Sequence, residues 1–398
     1  MSNGALNGIK VIDMTHVYNG PFCTMHLADH GAEVIKIEPP GRGEQSRYFP
    51  PLKNGESGYY AFLNRNKKGM ELNLRSEKGK EIFAKLLETA DVLVENFRPG
   101  TLERLGFGWD VLKEKYPRLV YAQATGFGTY GPLAARPAYD IIAQSMGGIV
   151  SITGFPDAPP TKVGPSVADT FTGTYMALGI MMALHSRSKT GKGQRIEVSM
   201  QDAIFSTLEN AIVTYTIDGK VPERVGNADP AIAPFDMYTC SDGYFFLGVG
   251  TDALWSRLCE VMNKPELVED PRFASNNDRV NNYIPELKSI MDEWAATQTV
   301  QELESVLEEA GIPGAPILNV DDVVNHPHTA AREMIVEVEH PKLGNIKIQG
   351  VPIKLHGTPG SVRTAAPLLG EHNEEILKDL GYSDDDMKTF RDLSLIHI

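Results

Sequence analysis

The run Ile9-Lys-Val-Ile12, followed by Asp13-Met-Thr-His-Val-Tyr-Asn-Gly-Pro-Phe22, reads as a short β-branched strand ending in a polar loop that enters a helix. The pattern recurs. Residues 32–37, 70–74, 91–94 and 119–123 have the same strand character, and 194–198 adds one more. Between them, residues 80–87 carry apolar side chains at helical spacing, with Ser76 placed to cap the helix. Strands alternating with helices imply an α/β fold built on a parallel, doubly wound sheet. After about residue 200 the pattern changes: a strand at 244–249 is followed by helices near 254–262, 285–296 and 300–310, which reads as a second, smaller α/β domain. Residues 335–340 and 345–349 flank a Pro-Lys-Leu-Gly turn and read as a hairpin. The expected division is 1–200 as the N-terminal part of a large domain, 201–225 as a linker, 226–330 as a small domain, and 331–398 as a return segment completing the large one.

A chain of 398 residues with 42% apolar and 23% charged side chains can bury more than one core. Its net charge of -14 argues against general binding to nucleic acid or anionic membrane, so an anionic ligand must meet a local basic cluster. The three cysteines, Cys23, Cys240 and Cys259, are far apart and form no metal-ligand pattern; no metal site is expected, and a reducing, cytoplasmic setting fits. The start of the chain lacks the regions of a secretory signal. The apolar run Tyr175-Met-Ala-Leu-Gly-Ile-Met-Met-Ala-Leu184 is shorter than the roughly 20 residues that span a bilayer, and its apolar faces read as a buried helix. The closing Ser394-Leu-Ile-His-Ile398 does not continue the acidic helix before it.

The stretch Gly164-Pro-Ser-Val-Ala-Asp-Thr-Phe-Thr-Gly173 sets Asp169 at the start of that helix. Spacing alone favours a carboxylate that caps the orphan amides; the alternative is a nucleophile shielded from bulk water and kept ionised by the helix dipole. Three loops at strand ends could serve it: residues 13–22, residues 95–106 with Arg98 and Arg104, and the glycine-rich 125–131 with Tyr139 and Asp140 just beyond. No phosphate-binding glycine fingerprint and no nucleophile elbow is present. His16, His26, His30 and His185 are scattered, and a structural role suits each of them alone.

Taken together, residues 8–22, Gly31-Ala-Glu-Val-Ile-Lys-Ile-Glu-Pro-Pro-Gly41, Asp91-Val-Leu-Val-Glu-Asn-Phe-Arg-Pro-Gly100, Thr190-Gly-Lys-Gly-Gln194 and Pro367-Leu-Leu-Gly-Glu-His372 resemble the class III CoA-transferases over essentially the whole chain. Within them, residues 11–22 and 153–160 are most similar to the oxalate-utilising branch, which takes acetyl-CoA or formyl-CoA. The resemblance implies a large Rossmann-like domain, a smaller α/β domain and an intertwined homodimer with no nucleic-acid or membrane partner. Its substrates would be an acyl-CoA and a small carboxylic acid, with coenzyme A carried as the thioester.

By the same resemblance Asp169 is the nucleophile. CoA contacts would come from His16, Val17, Tyr18, Leu72, Asn73, Leu74, Arg75, Asn96, Phe97, Arg98, Arg104, Arg136, Tyr139 and Asp140; Tyr59, Gly226 and Asn227 would meet the acyl substrate. Arg75, Arg98, Arg104 and Lys67 would hold the phosphates. Amides at the start of the helix and glycines near Gly126 and Gly226 would stabilise oxyanions. Three departures stand out. Tyr18 replaces a glutamine and Pro39 an arginine of the formyl-CoA transferases, and residues 224–230 lack their glycine run, which weakens formyl-CoA as donor more than oxalate as acceptor. The α-methylacyl-CoA racemases of this family place a histidine directly before the aspartate, where this chain has Tyr139-Asp140. A non-catalytic CoA-binding protein would have no need of Asp169.

Overall fold

A computed structural model describes residues 4–396. The chain forms two compact units, one from Met1–Ile149, Lys162–Asn210 and Pro327–Ile398, the other from Val150–Thr161 and Ala211–His326. In the first unit, β1 (Lys10–Asp13), α1 (Asn19–Asp29), β2 (Glu33–Glu38), β3 (Lys67–Glu71), α2 (Glu77–Thr89), β4 (Val92–Glu95), α3 (Thr101–Leu105), β5 (Val120–Thr125), α4 (Asp140–Met146), α5 (Val167–Thr190) and β6 (Arg195–Ser199) follow one another. The strands make one six-stranded sheet in the order β3-β2-β1-β4-β5-β6, every pairing parallel. This is the doubly wound order the alternation implied. It reverses direction between β1 and β4, so the loops that leave those two strands open beside each other.

Side-chain alternation along the strands builds a core on each face. Ile12, Ile35, Leu93 and Tyr121 point to the side covered by α2 and by the C-terminal helices Asn373–Asp379 and Asp384–Asp392, through Ile82, Phe83, Leu86, Ile376, Leu377 and Phe390. Val11, Val34, Val92, Val94, Val120 and Ala122 point to the other side, covered by α1 and α5 through Cys23, Leu27, Met176, Ile180 and Ala183. The tail belongs to the first core: Leu395 and Ile396 are fully packed there, while His397 and Ile398 fall outside the described residues.

Two expectations need correction. Strand β3 starts three residues before the apolar run because Lys67 lies in the sheet with its ammonium fully buried, 3.0 Å from Asp13. The end of the run leaves the sheet: the Asn73 amide donates to the Leu395 carbonyl at 3.1 Å. Helix α5 has 24 residues and is not buried all round; Ala168, Thr172, Met176, Ile180 and Ala183 face the core, whereas Leu178, Met181 and Met182 are 50%, 40% and 62% exposed. By length and composition it would suffice to cross a membrane, and its buried side packs on the sheet.

The hairpin β10 (Ile335–His340) and β11 (Gly344–Gln349) forms in register as read, in the first unit. In the second unit, β7 (Phe235–Thr239), β8 (Tyr244–Gly248) and β9 (Gly314–Pro316) form an antiparallel sheet in the order β9-β8-β7. Its core is centred on Phe245, Trp255, Leu258, Phe273 and Leu287. The strand β7 was not legible because Pro234 directly precedes it and Asp236 breaks its short apolar run.

Candidate active site

The segments that leave β1 to β5 shape two cavities, the larger mainly from those after β2, β3 and β4 and the smaller from those after β1, β4 and β5; they share Phe97, Thr101 and Arg104. The larger, about 770 Å³, has an apolar floor from Met14, Ile37, Leu72, Leu74 and Phe97 and a basic rim from Arg42, Arg75 and Arg104. The smaller, about 370 Å³, is lined by His16, Asn96, Phe97, Arg98, Gly126, Arg136 and Tyr139. All five arginines are exposed, so in an acidic chain this is the local basic cluster that an anionic ligand requires. The structure thus gathers His16, Leu72, Asn73, Leu74, Arg75, Asn96, Phe97, Arg98, Arg104, Arg136 and Tyr139 at one crevice. Arg42, which sequence reading missed, lines the same cavity as Pro39 and supplies a guanidinium there.

Lys67 departs from the expectation. Its ammonium donates to Asp13 at 3.0 Å, Thr24 at 2.8 Å, Asn64 at 2.9 Å and the Pro21 carbonyl at 3.1 Å, and none of it is exposed. Burial pushes it down to about 8 in spite of Asp13. Burial alone would raise the Asp13 carboxyl, but Lys36, Lys67 and the Thr15 and Thr24 hydroxyls hold it well below the usual carboxylate range. The network fixes the β1–α1 loop from beneath: Lys36 Nζ donates to the Thr15 carbonyl at 2.8 Å and the Thr15 amide to Asp13 at 2.8 Å. Lys67 is therefore a structural cation and is not available to a phosphate.

In that loop Val17 has φ 65°, a left-handed backbone that a β-branched residue rarely adopts. Its amide donates to Glu44 Oε2 at 3.2 Å, and Glu44 is itself fixed by the Ser46 amide at 2.7 Å. His16 stacks on Phe97 with ring centroids 5.5 Å apart, and burial lowers its imidazole below the usual value, leaving it neutral at pH 7. The Asn96 side chain is wholly engaged with the protein. Its Oδ1 accepts from the His16 amide at 2.9 Å, and its Nδ2 donates to the His16 carbonyl and to Asn19 Oδ1, both at 2.8 Å.

Asp169 occupies the first turn of α5, half-buried. Burial first, and the Asp140 carboxylate second, raise its carboxyl to about 7; a hydrogen bond from Asn19 Nδ2 to Oδ1, at 2.9 Å, opposes them. It does not cap its own helix. Asp140 does so from α4: its Oδ1 accepts from the amides of Ala168 at 2.8 Å and Asp169 at 3.4 Å, and its Oδ2 from Gln144 at 2.7 Å. The Thr170 amide goes to the Ser166 carbonyl at 3.0 Å. The amides at the start of α5 are thereby occupied and are not the free oxyanion donors expected. Asp140 also does not line either cavity; its carboxylate serves the helix and sets the charge felt by Asp169.

Tyr18 and Tyr59 stand beside Asp169. The Thr170 hydroxyl donates to the Tyr18 hydroxyl at 3.3 Å, and the two tyrosine rings lie 6.1 Å apart. Burial, then the Asp169 charge, raises the Tyr59 phenol; burial raises Tyr18, with Asp169 again adding to the rise. Both stay protonated at neutral pH and can donate. Gly226 and Asn227 belong to the second unit, where the Gly226 amide donates to the Gly154 carbonyl at 3.0 Å and Asn227 Nδ2 to Met237 Sδ at 3.5 Å.

The chain matches the model of CoA-transferase family III over residues 6–373. It is 43% identical over 378 residues to an acetyl-CoA:oxalate CoA-transferase of Acetobacter aceti, covering 94% of this chain and 96% of the relative. It is 38% identical to a succinyl-CoA–D-citramalate CoA-transferase of Chloroflexus aurantiacus, covering 96% of each. Among solved structures, a CaiB/BaiF family protein from Brucella suis superposes with a TM-score of 0.84 at 36% identity, covering 95% of this chain and all of that one. A doubly wound domain whose switch-point crevice is rimmed by arginines, with these relatives along nearly its whole length, belongs to CoA-transferase family III: the chain is a class III CoA-transferase.

Proposed function

We propose that the enzyme moves CoA from a short acyl-CoA, acetyl-CoA or formyl-CoA, to oxalate, with Asp169 as the nucleophile. The observation that carries this reading is the Asp169 carboxylate itself: half-buried, raised to about 7 and oriented by Asn19, in the same unit as a crevice rimmed by arginines. An Asp169 oxygen attacks the donor thioester and releases CoA thiolate, leaving a mixed anhydride. The thiolate then attacks the Asp169 carbonyl, expels the donor acid and leaves an aspartyl-CoA thioester. The acceptor carboxylate reverses the two steps. Thiolate leaves and returns unprotonated, so the neutral His16 need not act as a base. The 43% identity to an acetyl-CoA:oxalate enzyme supports the donor and acceptor.

The second reading, succinyl-CoA with a larger dicarboxylic acid, is favoured by the 38% identity to the citramalate enzyme. A racemase has less support: Tyr139 precedes Asp140, and that aspartate is held at the start of α5. Within the same proposal the enzyme is a cytoplasmic, intertwined homodimer, whose second copy covers the exposed Leu178, Met181 and Met182 of α5. The deciding experiment sets acetyl-, formyl- and succinyl-CoA against oxalate, succinate and citramalate, reads the new thioester, and traps the acyl-enzyme with hydroxylamine. Transfer to oxalate with a hydroxamate on Asp169 is expected. No transfer to oxalate beside transfer to another acid would overturn the acceptor, and turnover by Asp169→Ala would overturn the mechanism.

A further inference from the structure

We propose that Asn19 is a catalytic residue: its side-chain Nδ2 is the donor that holds the oxyanion formed on Asp169 Oδ1 whenever the Asp169 carbonyl carbon is attacked, leaving Oδ2 as the nucleophilic oxygen. This rests on the reading of Asp169 as the nucleophile.

Asn19 opens α1, is 7% exposed, and places Nδ2 2.9 Å from Oδ1. The approach of the two helices depends on Gly173, one turn beyond Asp169: a Cβ there would lie 2.5 Å from the Asn19 carbonyl oxygen. An amide can face either way, and here its direction is dictated by the backbone. The His16 N–H needs an acceptor and the His16 carbonyl a donor, which fixes Asn96 with Oδ1 to the former and Nδ2 to the latter. Asn96 Nδ2 then also donates to Asn19 Oδ1, so the donor end of Asn19 is the end turned to Asp169. The amides of Ala168 and Asp169 go to Asp140, and the Asn19 side chain is the group with a hydrogen bond to Oδ1 at 2.9 Å, alongside the Asn19 backbone.

Two of the four chemical steps put charge on this oxygen. Thiolate sulfur bonds to the Asp169 carbonyl carbon of the anhydride, the carbonyl π pair moves to Oδ1, and collapse expels the donor carboxylate. Later an oxygen of the acceptor carboxylate bonds to the same carbon, the π pair again moves to Oδ1, and collapse expels CoA thiolate. No proton moves in either step. Oδ1 passes from neutral carbonyl to oxyanion, so a donor already at hydrogen-bond distance binds the transition state more strongly than the ground state.

The test uses the full-length enzyme with Asn19→Ala, the isosteric Asn19→Asp, and Asp169→Ala. Each is mixed with acetyl-CoA without acceptor, or with succinyl-CoA where acetyl-CoA gives no wild-type adduct. Intact mass follows the aspartyl-CoA thioester, and hydroxylamine follows total acyl-enzyme. Removing one oxyanion donor is expected to slow thioester formation about 100-fold, with acyl-CoA affinity within threefold of wild type. In Asn19→Ala the acid limb of kcat/KM should also move to higher pH, because the side-chain hydrogen bond favouring the ionised carboxylate is gone while the backbone one stays. Asn19→Asp keeps the acceptor for Asn96 and cannot donate once ionised, so above neutral pH it should share the loss even where Asn19→Ala is poorly folded. Thioester formation within threefold of wild type in a folded variant overturns the proposal. A thioester in Asp169→Ala overturns instead the reading on which it rests.

Discussion

Asp169→Asn should cost the enzyme its turnover and make it more stable, by an amount that depends on pH. The substitution keeps an oxygen for Asn19 to donate to and removes the charge that burial and Asp140 oppose. In the folded chain the carboxyl keeps its proton up to about 7, against an ordinary value of 3.8 when unfolded. Between those values the native state binds the extra proton, so stability falls as pH rises through the interval, and the whole cost stands above it. At about 1.4 kcal/mol for each tenfold change in proton affinity, the cost above pH 7 is about 4 kcal/mol, of which about 3 kcal/mol accrues between pH 5 and 7. An amide carries none of it. Guanidinium unfolding of both proteins at pH 5, 6, 7 and 8 measures the difference, which should favour the variant and widen with pH by about 3 kcal/mol, levelling off above 7. A difference that is flat with pH, or a variant less stable than wild type at pH 8, would refute the argument that Asp169 is held at a cost to the fold.

Lys67→Met leaves the Asp13 carboxylate buried without its nearest cation and should lower stability by about 3 kcal/mol, while the KM for acyl-CoA in the folded protein stays unchanged. A rise in KM with unaltered unfolding would return Lys67 to the phosphate site. Arg104, which lines both cavities, should behave in the opposite way. Arg104→Ala is expected to raise the KM for acyl-CoA about tenfold with kcat within threefold, an effect that shrinks as salt is added, as steady-state kinetics at two ionic strengths would show.

The sheet was readable because its signals are local. Strands buried on both faces, such as Val92–Glu95 and Val120–Thr125, must be apolar along their length, and helices such as Glu77–Thr89 must carry an apolar stripe, whatever the rest of the chain does. The reading failed where a polar residue is paid for by a distant partner: Lys67 enters β3 only because Asp13, 54 residues earlier, neutralises it. It failed again at α5, where an apolar sequence says that a face will be covered but not by which surface.

For the site the division is sharper. The sequence by itself determined that the fold is α/β, that loops after β1 and β4 carry the chemistry-bearing side chains, and, through family resemblance, that Asp169 is the residue to examine. Its environment came only with the tertiary structure. The cap expected of Asp169 belongs to Asp140, 29 residues earlier, and its orienting hydrogen bond comes from Asn19, 150 residues away, set in turn by Asn96 and the His16 backbone. Hydrogen bonds and charge pairs act over a few ångströms and carry no trace in sequence spacing, so which groups meet is decided by how the chain closes around the switch point.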